Sequence, residues 1–199
     1  MKVNKIILLF HLCLNFGLYA SSEIHVEEVT TKKGFKFLFV ENNDLPTVSL
    51  NITFKEAGYA YDNPEKQGLS LIASSVIEEG SGKNDAKQFA KALESKGIGL
   101  KFNVDKENFS IQLNTLSENL EKGISLLSDA IIRPKVDSEG LSRTLETARV
   151  ALSNLEKDPY FVAQENIVKL LFKKHPYSRS PYGNLETIMS INRDNILTY

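Results

Sequence analysis

The sequence predicts an α+β fold in which helices pack on one face of a largely antiparallel sheet. Two observations lead to this prediction. Between Phe35 and Leu113, apolar residues recur at every second position in four short runs, as in half-buried strands. From Ser117 onward the apolar period changes to about 3.6 residues, the period of an amphipathic helix. With 199 residues, 42% of them hydrophobic and 25% charged, the chain has the composition of a globular protein.

The first 20 residues have the order of a secretory signal peptide. Lys2 and Lys5 precede an apolar stretch from Ile6 to Leu18, and small residues follow at Ala20 and Ser21. The stretch is shorter than the ~20 apolar residues that a membrane span requires. We therefore expect residues 1–20 to be removed and the protein to be exported, to a bacterial periplasm or the medium. A retained amphipathic anchor is the alternative interpretation.

Cysteine and charge content limit the chemistry of the mature chain, residues 21–199, which we expect to form a single domain. Cleavage after Ala20 would remove Cys13, the only cysteine, and with it any disulfide or thiolate ligand. The 24 basic and 25 acidic residues give a formal net charge of −1. Without a run of like charge, neither a nucleic acid nor an anionic membrane is expected as a partner.

The first two alternating runs predict two strands that pair with each other. The segment "ENNDLP" between them supplies the turn residues. The first run contains Phe35, Phe37 and Phe39, and the second contains Val48, Leu50, Ile52 and Phe54.

Two helices are predicted next. The stretch "KQGLSLIASSVIEEGSGKN" places Leu69, Ile72, Ala73 and Val76 on one helical face. A second helix is expected to begin at an Asn84 or Asp85 cap, to end at Gly97, and to bury Ala86, Phe89, Ala90 and Leu93.

An antiparallel hairpin and three further helices complete the predicted order. The hairpin joins Leu100, Phe102 and Val104 to Phe109, Ile111 and Leu113 through the polar "DKEN". One helix should bury Leu120, Ile124, Leu127 and Ile131 and end at Pro134. The next should bury Leu141, Leu145, Ala148, Leu152 and Leu155, and a third should cover about Tyr160 to Lys173.

Three long segments resemble the N-terminal domain of the pitrilysin/insulinase-like zinc metallopeptidases, nearest the mitochondrial-processing-peptidase-like branch. The resemblance covers about Val29 to Tyr199 and implies that family's α+β metallohydrolase-type fold. It also implies an incomplete domain, because the family's domain continues with a strand and a helix after "NRDNILTY". The segments are "FKEAGYAYDNPEKQGLSLIASSVIEEGSGKNDAKQFAKALESKGI", "LSENLEKGISLLSDAIIRP" and "LEKDPYFVAQENIVKLLFKKHPYSRSPYGNLETIMSINRDNI".

The resemblance implies that the family's zinc site has been lost. Active members carry two histidines four residues apart on one helix, a glutamate base before the second, and a glutamate ligand on a later helix. Aligning the Gly-Leu pair that opens the helix places Leu71 and Ser75 at the histidines and Ser74 at the base. The later ligand falls at Ala151, or at Leu152 if the register slips by one. We expect no catalytic residue, metal ligand or cofactor, and interpret the two serines as helix-packing residues rather than nucleophiles.

Other candidate groups have plainer interpretations. His25 and His175 are the histidines of the mature chain, and capping or loop packing is favoured over metal binding for both. Glu78 and Glu79 could chelate a cation with outside help, although adjacent carboxylates at the end of a helix are usually solvated.

Two functional hypotheses follow. The first is a non-catalytic zinc-protease-like protein, which could be the product of a split or decaying gene. It would pair with an active metallopeptidase subunit or with the missing C-terminal half, or bind unfolded peptides. The alternative is an exported zinc-dependent endopeptidase whose metal site is completed by another chain.

Overall fold

The computed structural model describes residues 24–199, so the predicted signal peptide lies outside the described residues. The chain divides into two compact units, one ending at Leu45 and the other covering Pro46–Tyr199. The first contains strands β1 (Glu27–Thr30) and β2 (Lys36–Phe39). In chain order the second contains β3 (Thr47–Lys55), α1 (Leu69–Val76), β4 (Gly80–Ser81), β5 (Asn84–Asp85), α2 (Ala86–Glu94), β6 (Gly99–Val104), β7 (Asn108–Leu116), α3 (Leu120–Ile132), α4 (Ser138–Leu155), α5 (Pro159–Phe172), α6 (Leu185–Met189) and α7 (Arg193–Thr198).

The pairing predicted for the first two alternating runs is wrong. Strand β2 pairs with β1 in an antiparallel hairpin, with Thr30 opposite Lys36. A tight turn joins them: the Thr31 amide donates to the Phe35 carbonyl at 2.8 Å, and Gly34 takes a left-handed φ of +85°. The strand before this turn, "EEVT", has no alternating apolar pattern, so the sequence did not reveal the nearer partner.

The main sheet has the strand order β3-β7-β6, and both pairings are antiparallel. Ile111 in the central strand lies opposite Ile52 of β3 on one side and Phe102 of β6 on the other. Phe109, Ile111 and Leu113 are buried, as alternation in a half-buried strand requires. The predicted hairpin between β6 and β7 is confirmed.

Helices α2 and α3 pack against this sheet, but α3 does so on a different face from the one predicted. Leu127 is buried, whereas Ile124 is 42% exposed and Ile131 is 39% exposed. The buried face of α3 is formed by Gly123, Leu126, Leu127 and Ala130. Small residues let the helix approach the sheet closely, since a Cβ on Gly123 would lie 3.3 Å from Leu113 Cδ1. In α2, Phe89 is buried as predicted, but Ala90 is exposed.

A second cluster of buried residues joins α1 to α4 and the C-terminal helices. Its buried members are Ile72, Ala73, Val76, Val136, Ile191 and Ile196, and Leu69, Leu141, Leu145 and Ala148 pack against them. The predicted apolar faces of α1 and α4 are therefore confirmed. This packing sets the two helices side by side, which positions the candidate site.

Candidate functional site

A cavity of about 360 Å³ lies between α1 and α4. Leu71 and Ser75 of α1 and Ala151 of α4 all line it, although Ser75 and Ala151 are 76 positions apart in the chain (151 − 75). The other lining residues are Gly68, Ile72, Glu78, Glu79, Thr144, Thr147, Ala148, Tyr182 and Ile188. Three of the four residues that the sequence singled out are thus brought together at one site. Leu152, the alternative position for the later ligand, is buried outside the cavity lining.

The serine hydroxyls of α1 are both bonded to the helix itself. Ser74 Oγ donates to the Leu71 carbonyl at 2.8 Å, and Ser75 Oγ donates to the same oxygen at 3.1 Å. Ser74, the residue at the predicted base position, is buried and does not line the cavity. This bonding back to a carbonyl one turn earlier is common for serine in helices and does not activate the hydroxyl.

Asp62 holds the first turn of α1, a role that the sequence did not reveal. Its carboxylate accepts hydrogen bonds from the Gly68 amide at 2.9 Å, the Ser70 amide at 3.1 Å and Ser70 Oγ at 3.2 Å. Asp62 is only 4% exposed, and this burial raises the pKa of its carboxyl, although the hydrogen bonds from Gly68 and Ser70 act in the opposite direction. The possible signal was an aspartate seven residues before the start of a helix that lacks its own capping side chain.

The loop before α6 closes one side of the cavity. Gly183 has a φ of +63°, and a Cβ there would collide with the Gln67 carbonyl oxygen. Gly68 has a φ of +97°, and a Cβ there would lie 3.1 Å from the Tyr182 carbonyl oxygen. Two glycines therefore permit the backbone contact that places Tyr182 in the cavity wall. Arg179 adds a further tie, because its Nη1 donates to the Asp62 carbonyl at 2.8 Å.

The two glutamates after α1 have different surroundings. Glu79 Oε2 accepts a hydrogen bond from Arg143 Nη2 at 2.7 Å. Glu78 has no hydrogen bond or ion pair with any side chain among residues 24–199. Glu78 is exposed overall, but partial burial of its carboxyl raises its pKa, and the neighbouring charge of Glu79 adds to this increase. Glu78 is therefore the carboxylate at the cavity that lacks a partner.

The described part of the chain holds no group of three His, Cys, Asp or Glu side chains that could bind a metal ion. His175 acts as a cap, since its Nδ1 accepts a hydrogen bond from the Tyr177 amide at 3.2 Å. The three residues predicted from the sequence to stand at the zinc-ligand positions are a leucine, a serine bonded within its own helix and an alanine. These three side chains do not form a ligand set for zinc, and the carboxylates that line the cavity are those of Glu78 and Glu79.

A family model for insulinase, peptidase family M16, matches residues 37–184. The chain belongs to this family. The inactive peptidase M16 domain from Pseudomonas fluorescens has a similar fold, with a TM-score of 0.81 and 23% sequence identity over 88% of this chain and 42% of that one. The α+β fold predicted from sequence is therefore the M16 fold.

Curated members of the M16 family are similar along most of the chain. The non-peptidase homolog YmxG of Helicobacter pylori is 26% identical over 98% of this chain and 44% of its own. The beta subunit of the mitochondrial-processing peptidase of Saccharomyces cerevisiae is 20% identical over 81% of this chain and 34% of its own. The chain spans less than half the length of these relatives. In residues 24–199, no helix has the length and hydropathy needed to cross a membrane.

Proposed function

We propose that this protein is a non-catalytic M16 subunit that works together with a peptidase subunit. The observation that carries the proposal is the cavity between α1 and α4, because it is lined by Leu71, Ser75 and Ala151, the residues that the family resemblance assigns to the zinc-ligand positions. A relative named as a non-peptidase homolog and another named as a peptidase subunit support the two parts of the proposal. Residues 1–20 support an exported protein, because they have the order of a signal peptide.

The first test measures zinc and peptide cleavage. Purified protein should contain well under one zinc per chain and should not cleave an unfolded polypeptide such as reduced, alkylated casein, because Leu71, Ser75 and Ala151 do not form a ligand set for zinc. Metal analysis by mass spectrometry and a chelator-controlled cleavage assay measure both properties. About one zinc per chain with chelator-sensitive cleavage would contradict the proposal and favour an endopeptidase whose site another chain completes.

A second experiment tests whether the family's ligand positions have been assigned correctly. The variant L71H/S75H/A151E places two histidines and a glutamate at the assigned positions, and it leaves the buried Ser74 unchanged. We expect it to bind about one zinc per chain. The matched control L71H/S75H/V150E introduces the same side chains but places the carboxylate on Val150, which does not line the cavity. Equal zinc binding by both variants would show that the assignment of Ala151 is wrong.

A further inference from the structure

The cavity between α1 and α4 has an apolar floor and a more exposed rim. Ile72 and Ile188 are 3% and 2% exposed and form part of the floor together with the buried Thr144. Ser75 and Ala151 line the cavity from exposed positions. Its volume of about 360 Å³ lies near the lower end of the roughly 300–1,000 Å³ found for small-ligand pockets. The cavity thus has room for one apolar side chain together with a short piece of backbone.

Glu78 adds a negative charge to this cavity. The adjacent Glu79 is bound by Arg143, and Glu78 has no such partner among the described residues. Burial and the charge of Glu79 already disfavour the ionised form of Glu78. A cation at the rim would remove this disadvantage, because an opposite charge within a few ångströms stabilises a carboxylate. The charge of the site therefore favours a ligand that carries a positive group beside an apolar one.

The apolar floor and the charged rim together favour an amino-terminal residue over an internal lysine as the cationic ligand. A lysine side chain that entered the cavity would carry its ammonium group to the floor, beside Ile72 and Ile188, where burying an unpaired charge is costly. An amino-terminal residue carries its ammonium group on the backbone, so its side chain can enter the cavity while the charge stays at the rim.

We propose that this cavity binds the amino-terminal residue of a polypeptide, with an apolar side chain in the cavity and the α-ammonium group paired with Glu78. The inference rests on the proposed function, because a cavity that holds no zinc is free to take a peptide end. The M16 subunit would then bind polypeptides that have a free α-amino group and an apolar first residue. Such ends are created by proteolysis, so a peptidase partner would supply the ligand.

The test uses hexapeptides with a fluorophore at the carboxyl end and measures binding by fluorescence anisotropy. The peptide LAAGSG should bind, whereas its N-acetylated form and the peptide SAAGSG should each bind at least about tenfold more weakly, through the loss of a charged hydrogen bond and of apolar burial, respectively. The peptide acetyl-KAAGSG, whose first residue is a lysine and whose α-amino group is blocked, should also bind weakly. Equal binding of the free and acetylated leucine peptides, or no binding of LAAGSG, would overturn the proposal.

Variants locate the binding site. E78Q should weaken binding of LAAGSG by about tenfold. A151L should also weaken binding, because the larger side chain narrows the cavity. The matched control E94Q removes an exposed carboxylate of α2 and should leave binding unchanged. Unchanged binding by E78Q would overturn the proposal even if LAAGSG binds. Peptide binding and zinc content are separate measurements, so failure of this inference is distinct from failure of the proposed function, which would appear as zinc-dependent cleavage by the wild-type protein.

Discussion

Asp62 is the residue on which the first turn of α1 depends. Asp62→Ala would leave two buried amides and the Ser70 hydroxyl without their acceptor. We expect the free energy of unfolding, measured by urea denaturation at pH 7, to fall by about 3 kcal/mol, because unpaired buried donors cost about 1–3 kcal/mol. Asp62→Asn retains an acceptor oxygen and should lose less.

The pH dependence of the unfolding free energy tests whether the carboxyl of Asp62 has a raised pKa in the folded protein. Since burial raises its pKa above the ordinary value of 3.8, the folded protein binds the proton more tightly than the unfolded chain does. The contribution of this carboxyl to stability should therefore decrease as pH rises from 3.8 through the folded-state pKa, and be constant above it. The difference in unfolding free energy between wild type and Asp62→Asn should follow this course. A difference that grows with pH would contradict it.

Alanine substitutions at Gly183 and Gly97 distinguish the cost of a strained backbone conformation from the cost of a steric collision. Both have left-handed backbones, with φ of +63° and +59°, but a Cβ on Gly97 would meet no atom within 4 Å. Gly97→Ala should lower the unfolding free energy by about 1 kcal/mol. Gly183→Ala should lower it by about 3 kcal/mol, because the new methyl group would also collide with the Gln67 carbonyl. Thermal denaturation of both variants measures the difference, and equal losses would show that the backbone contact beside Tyr182 is not close.

At the level of secondary-structure elements, α3 shows how a helix can turn a different face to the core from the one its largest residues suggest. Glycine and alanine at positions 123 and 130 lie against the sheet, while Ile124 and Ile131 are partly exposed. Small residues shorten the distance between helix and sheet, and the resulting close packing outweighs the exposure of two isoleucines.

Paired alanine substitutions test this orientation. Leu126→Ala should lower the unfolding free energy by about 3 kcal/mol, because Leu126, which is not on the predicted face, is 1% exposed and its removal leaves a cavity. Ile131→Ala should lower it by about 1 kcal/mol, because Ile131 is 39% exposed. Urea denaturation measures both values. A larger loss for Ile131 would indicate that α3 packs on the face predicted from sequence.

At the level of the whole molecule, α5 exposes several large apolar side chains. None of its residues is buried, and Ile167, Leu170 and Leu171 are 55%, 75% and 71% exposed. Exposed apolar patches of this kind commonly mark interaction surfaces. This surface is available for the partner subunit proposed above.

If this exposed surface of α5 is an interaction surface, the purified protein should self-associate through it. Sedimentation velocity should show the purified protein shifting from monomer to larger species as its concentration rises, because about 25 cal/mol is gained for each Å² of apolar surface buried. The variant L170E/L171E should remain monomeric, whereas the control Q164E/N166E, with the same added charge on the same helix, should behave as the wild type does. A wild-type protein that stays monomeric at high concentration would contradict the prediction.

The site was only partly accessible from the sequence. Resemblance to the M16 family led to Leu71, Ser75 and Ala151, and the structure places all three at one cavity. Asp62 and Tyr182 were not found from the sequence. Asp62 acts on a helix that begins seven residues later, and Tyr182 reaches the cavity through the contact between Gly68 and the loop that contains Gly183. Such contacts leave no periodic signal in the chain.

By itself, the sequence determined the local elements of this protein. Apolar residues alternate in β3, β6 and β7 and recur with a 3.6-residue period in α1 and α4. Each period shows which side chains face the core and which face solvent, so these strands and helices could be predicted from the sequence. Tertiary structure decided the partner of β2, the buried face of α3 and the closing of the cavity by Tyr182. Each of these depends on which surfaces can approach one another most closely, and that distance is set by small residues and turns in parts of the chain that local patterns do not connect.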